Sequence, residues 1–282
     1  MFLCIVSATF FNQGQSPQIL QERFVNLWRA SELGDDGLQT LPTSYAALGQ
    51  ALPGGGWPFG AMTEVLQAQP GLHEWGLVAP ALGSLQASTG NSVVLVGAPY
   101  FPFGPALGAR QLDMRLLLNI NAATNDCSRN DSPAMLWATR EALACADVCA
   151  VLAWLPDARS AHLRRLQIAA ATYNKVLFVF RPLSARHDSS PAPLRLLLAG
   201  LPLGAETTHN LQIDVFKRRG PPLAAPVLID TRPPRLAALL AASRERVHQH
   251  DPVLQLAPTL FDLSDLLRKP LHALDRTASL QY

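Results

Sequence analysis

The chain has 282 residues, 49% of them hydrophobic and 16% charged, with a formal net charge of +2. That is enough apolar material to bury a substantial core, most simply as one α/β domain with extensions at either end. The near-neutral balance, with a pI near 8.4, excludes the polycation signature of an autonomous, sequence-independent DNA binder.

The first residues, MFLCIVSATFF, are apolar but carry no basic n-region, are too short to span a bilayer and lack a small-residue cleavage site. A cytoplasmic protein without a membrane segment is expected. Gln21 to Leu33 sets Phe24, Leu27 and Trp28 at helical spacing, which predicts a short amphipathic arm, and Gly34-Asp35-Asp36-Gly37 closes this extension over residues 1–38. Ser44 to Ala51 predicts a short helix, and Pro53-Gly54-Gly55-Gly56-Trp57-Pro58 a turn-rich loop. Ala61 to Leu66 reads as the first core strand, with a helix from Leu72 to Leu85 behind it. Alternation follows: strand Ser92–Val96, a helical turn Ala106–Arg110, strand Arg115–Ile120, helix Pro133–Cys145, strand Val148–Trp154, helix Ala158–Tyr173 and strand Lys175–Phe180. Short apolar strands alternating with helices imply parallel βαβ units in a sheet covered on both faces. From Pro191 to Asp230 three strand patterns follow without helices, which predicts an antiparallel edge. A last helix, Pro234 to His248, leads into a proline-marked tail.

Four cysteines, Cys4, Cys127, Cys145 and Cys149, form neither a C-x-x-C spacing nor a disulfide framework. Cys145 and Cys149 are expected as small core residues at a helix–strand junction. His248 and His250 sit near a helix end, where positive charge suits the macrodipole. No set of residues has metal-ligand spacing, and no Ser/His/Asp set lies in a nucleophile-elbow context.

Residues Leu41 to Val65, LPTSYAALGQALPGGGWPFGAMTEV, read as the run-up to a phosphate-binding loop, yet no such loop follows. A P-loop needs G-x-x-x-x-G-K-[ST], because backbone N–H groups cradle the phosphates while the lysine and hydroxyl reach phosphate and Mg²⁺. Here Leu66-Gln67-Ala68-Gln69-Pro70-Gly71-Leu72-His73-Glu74-Trp75 comes next, and the first lysine of the chain is Lys175. Glu74, close to where phosphates would lie, is expected to repel a triphosphate.

Together with VNLWRASEL, PYFPFGPAL, LRRLQIAAA, VLFVFRP and VFKRRG, that segment resembles the ImuA family over roughly residues 25 to 220. These are RecA-like accessory proteins encoded beside a Y-family polymerase homologue, ImuB, and an error-prone replicative-type polymerase. The resemblance implies a RecA-like α/β core over residues 39–232, mainly parallel with an antiparallel edge and a degenerate P-loop, then a helix and partner-binding tail over 233–282. It departs from the recombinase pattern at every catalytic station. The Walker lysine is missing, and Gly97-Ala98-Pro99-Tyr100 holds no catalytic glutamate. The strand Val148–Trp154 ends without an aspartate, and Phe180-Arg181-Pro182 replaces the nucleotide sensor. The implied protein is therefore no enzyme and takes no cofactor. It is an accessory factor of damage-induced translesion synthesis that bridges an ImuB-like polymerase homologue and/or RecA, and indirectly the error-prone polymerase.

Five groups of residues are candidates for contact. Arg159, Arg164 and Arg165 on one helix, and Lys217, Arg218 and Arg219 at a strand end, suit phosphate or an acidic partner, although a solvated helix face and edge protection read the same way. Arg186 and His187 lie between Pro182 and Pro193, where recombinases carry a mobile DNA-binding loop. Phe24, Leu27 and Trp28 suit a protomer-docking arm. Leu256, Leu260, Phe261 and Leu263 are apolar anchors of a tail that docks on a partner or packs on its own core. The alternatives are a SulA-like division inhibitor, an ATPase using arginine for the missing lysine, and a plain single-stranded DNA binder.

Overall fold

The computed structural model describes residues 39–121, 132–201 and 209–250. They fall in two units divided between Pro233 and Pro234. The first is an α/β layer structure. Its elements are β1 (Thr40–Pro42), α1 (Ala46–Ala51), β2 (Gly56–Pro58), β3 (Ala61–Gln67), α2 (Glu74–Thr89), β4 (Ser92–Val96), α3 (Gly104–Gly108), β5 (Leu117–Ile120), α4 (Ser132–Ala144), β6 (Val148–Trp154), α5 (Ser160–Tyr173), β7 (Val176–Pro182), β8 (Leu194–Gly200), β9 (Leu211–Lys217) and β10 (Val227–Ile229). The described part of the second unit is one helix, α6 (Pro234–His250). Among the described residues no helix is long and apolar enough to cross a membrane.

Eight strands form one mixed sheet in the order β10-β9-β8-β3-β7-β6-β4-β5. From β8 to β5 every pairing is parallel, while β9 and β10 join antiparallel at one edge. The reason is legible in the strands. VCAVLAW and VLFVF are buried on both sides, as parallel strands between helical layers must be, whereas β9 alternates buried and half-exposed residues. One face packs Val65, Leu95, Leu152 and Phe178 against α2. The other packs Met62, Val96, Val151 and Val179 against α4 and α5. A backbone N–H of β3, from Met62, donates to Gln167 of α5 at 2.8 Å and ties the sheet to that layer.

The stretch Pro53 to Pro58, expected as a loop, is more ordered than that. A 3₁₀ turn, Pro53–Gly55, leads into β2, which pairs antiparallel with β1 in the register Leu41↔Trp57. Gly56 makes the close approach possible, since a Cβ there would lie 2.3 Å from the carbonyl oxygen of Leu41. The pairing drives Trp57 fully into the core, edge-on to Phe178 with ring centroids 5.1 Å apart. This glycine-rich segment is therefore a device for seating a tryptophan.

Helix α2 is apolar nearly all round and carries a proline in its interior. Pro80 has no N–H to donate to the carbonyl of Gly76 one turn back. The hydroxyl of Tyr45 donates to that carbonyl instead, at 2.5 Å. Burial pushes the Tyr45 hydroxyl pKa up to about 12, with Arg110 opposing and Asp230 adding to the rise. Cys149 is buried in β6 and its thiol pKa is raised, first by desolvation. Cys145 is exposed, contrary to the expectation of a core residue, because it lies one residue beyond the end of α4.

Candidate functional site

Open α/β sheets bind ligands in the crevice outside the carboxyl ends of their strands. Here that crevice lies over the ends of β3, β6 and β7. A cavity of about 170 Å³ is lined there by Gln67, Pro70, Gly97, Trp154, Phe180 and Arg181. Beside it opens a wider one of about 510 Å³, bounded by His73, Tyr100, Phe101 and Arg110. The floor is aromatic: Trp154 stacks on Phe180 at 4.7 Å and tilts toward Trp75 at 6.4 Å.

Behind the crevice wall lies Glu74, the first residue of α2, fully buried and bonded to two of the lining residues, Gln67 and Trp154. Its Oε1 accepts from Gln67 Nε2 at 2.5 Å, from the backbone N–H of Gly71 at 2.6 Å and from Trp154 Nε1 at 3.1 Å. Its Oε2 accepts from the backbone N–H of His73 at 3.1 Å. Loop N–H groups converging at a helix N-terminus are what an anion seeks, and here a carboxylate of the chain itself takes them. Gly71 is needed for the turn: its φ of +90° is a glycine conformation, and a Cβ would lie 2.4 Å from the ring of Tyr100. Glu74 was expected to repel phosphate from solution. The structure shows that it also takes the loop's N–H donors for itself. The signal in the sequence is a lone acidic residue after a glycine loop, at the start of a largely apolar helix.

A second buried cluster stiffens the neighbouring strands. Glu64 of β3 lies between Arg181 of β7, at 2.9 Å, and Arg195 of β8, at 2.6 Å, with all three side chains buried. Arg181 also donates to Asp188 and to the carbonyl of Ala158, each at 2.9 Å. Arg195 donates to the carbonyls of Ala185 and Arg186 and lies over the Phe216 ring at 4.8 Å. These bonds hold Leu183–His187 as a 3₁₀ turn. The stretch expected as a mobile loop is therefore tied down where Arg186 and His187 lie. The charges of LRLLL, AMTEV and VFRP sit in runs otherwise apolar on both faces, where charge must pair; that pattern marks the cluster in the sequence.

The remaining candidates separate. Arg159, Arg164 and Arg165 are exposed on α5 or at its N-cap. Lys217, Arg218 and Arg219 do not act as one basic patch. Lys217 donates to the carbonyl of Ser190 at 2.8 Å, and Arg218 to those of Pro221 at 2.7 Å and of Ala51. Arg219 borders a separate cavity of about 220 Å³ beside Gln167 and Ala171 of α5. Arg110, an arginine near the crevice, is spent on the carbonyls of Ala106 and Thr231. Phe24, Leu27, Trp28, Leu256, Leu260, Phe261 and Leu263 lie outside the described residues. Among the described residues no group of three His, Cys, Asp or Glu side chains is placed to hold a metal ion. Compared with protein-family models and with curated proteins, the chain matches none.

Proposed function

We infer that this chain is a non-catalytic, RecA-like accessory protein of a translesion DNA synthesis complex, bridging an ImuB-like polymerase homologue and/or RecA. The observation that carries the reading is the closure of the anion position by Glu74. The loop after β3 keeps converging backbone donors, and a carboxylate one residue further on consumes them. A loop whose backbone donors are already taken offers little to a phosphate, which favours work at surfaces, as an adaptor does, over nucleotide turnover. The resemblance of the PGGGWPFGAMTE segment and the order of the flanking motifs support the choice of partners.

The test has two arms. Co-purification with an ImuB-like polymerase homologue and with the host recombinase, without added nucleotide, should retain at least one of them. In parallel, millimolar ATP with Mg²⁺ should leave the thermal midpoint of the purified chain unchanged, since a ligand at 100 times its Kd would add about 2.7 kcal/mol. Loss of both partners sinks the adaptor reading and favours the division-inhibitor alternative. A rise in midpoint with nucleotide returns the ATPase alternative.

A further inference from the structure

Helices α4 and α5 lie side by side on one face of the sheet, and the groove between them has a volume of about 700 Å³ and shares no lining residue with the crevice near Glu74. Leu166 and Ala169 are buried at its base, and Leu136 is half-buried. Its walls are apolar and open: Trp137 is 65% exposed, Ile168 57% and Tyr173 41%. Neither helix needs those residues for its own contact with the sheet, which Met135, Ala138, Leu163, Leu166 and Ala170 supply. A tryptophan and an isoleucine held this far into water mark a surface that another molecule covers.

The charges say what kind of molecule. Arg140, His162 and Arg165 line the groove, and no carboxylate does among the described residues. Arg165 has no ion-pair partner there, and Arg140 meets only Glu141, at 3.9 Å. Two guanidinium groups and an imidazole make no continuous basic stripe along which a phosphate backbone could run, so nucleic acid is the poorer fit. Helix α5 has 14 residues, about 20 Å of groove length, or three to four turns of a docked helix. We propose that the α4–α5 groove docks an amphipathic helix of a partner protein, its apolar face laid on Trp137 and Ile168 and its flanks acidic against Arg140 and Arg165. This goes beyond the accessory reading, because the groove's chemistry holds whichever complex the chain serves.

The experiment selects ligands from a displayed library of helical peptides, with apolar residues fixed at i, i+3, i+4 and i+7 and Glu, Lys or Gln randomised on the flanks, against the full chain. Enriched peptides should carry Glu on both flanks. Synthesised and measured by fluorescence anisotropy, they should bind at least about tenfold more weakly to Ile168→Asp and to Arg165→Glu, and their Lys-flanked versions should bind wild type at least about tenfold more weakly. Arg164→Glu, on the same helix but not in the lining, should bind as wild type does. Both α5 sites are exposed, so the variants should keep the wild-type unfolding midpoint. Four results overturn the proposal. They are no groove-dependent enrichment, enrichment of Lys flanks, self-association in sedimentation that Ile168→Asp abolishes, and salt-sensitive single-stranded DNA binding that Arg165→Glu abolishes.

Discussion

Replacing Glu74 tests its role as the common acceptor directly. Glu74→Ala removes an acceptor from four donors at once. The N–H groups of Gly71 and His73 belong to a partly exposed loop and regain water. Gln67 Nε2 and Trp154 Nε1 are buried and stay stranded. Two stranded donors at about 1–3 kcal/mol each put the loss at roughly 2–6 kcal/mol, a large share of the ~5–15 kcal/mol that holds a domain folded. Glu74→Gln keeps an amide oxygen for the donors on Oε1 but turns an NH₂ toward the His73 N–H and removes the charge, so it should cost about 1.5–3 kcal/mol. Trp154→Phe loses one bond in the wild-type background. In the Glu74→Ala background it removes a stranded donor, so the double variant should be less damaged than the sum by about 1 kcal/mol or more. Urea denaturation, read from midpoints at constant slope, measures all four proteins. An alanine variant within about 0.5 kcal/mol of wild type, or a strictly additive double variant, would refute the placement of the carboxylate as the common acceptor.

The other predictions concern the two remaining polar devices. Tyr45→Phe should cost about 1–2 kcal/mol by stranding the Gly76 carbonyl, and much less beside Pro80→Ala, whose new N–H can serve that carbonyl; equal costs in both backgrounds would show that the proline is not the cause. Because the folded pKa of Tyr45 is raised from 10.0 to about 12, its neutral form is favoured by folding. That contribution is fully present below pH 10 and lost as pH rises through 12. The stability gap between wild type and Tyr45→Phe should therefore narrow between pH 9 and pH 12 in urea titrations, and a constant gap would contradict it. Glu64→Ala should cost about 3–5 kcal/mol, since it leaves two buried guanidinium groups facing each other; a loss under about 1 kcal/mol in the same assay would mean that the cluster is solvated.

Much of the fold could be read from residue patterns alone because its strands are short apolar runs with clear punctuation. SVVLV, VCAVLAW and VLFVF carry their own boundaries, and the change to helix-free alternation after Pro191 announces the antiparallel edge. What local pattern could not give was pairing across distance. Nothing in PGGGWP says that Gly56 will meet Pro42 and turn the segment into a strand. Nothing in KRR says that Arg218 will be spent on the carbonyl of Ala51, 167 residues away in sequence. The absence of a lysine was visible at once, whereas the occupation of its loop by Glu74 was not, because a carboxylate reads as repulsive until its donors are located.

That occupation changes how the missing lysine is to be understood. A carboxylate tethered within three residues of its backbone donors competes with any free anion at an effective concentration of at least millimolar order, and being dehydrated and in place it has no ordering left to do. Even a loop with every phosphate-binding N–H intact would stay closed to millimolar phosphate while Glu74 lies in it. A lysine introduced at the start of α2 would not free these donors; its ammonium would pair with the buried carboxylate and hold it in place. The two features of the sequence, no lysine and a glutamate at the helix start, thus act as one change of sign at one site. Trp154 then follows as a consequence, since an indole N–H at the end of β6 suits a buried carboxylate, and an aspartate at that strand end would face Glu74 as a second negative charge.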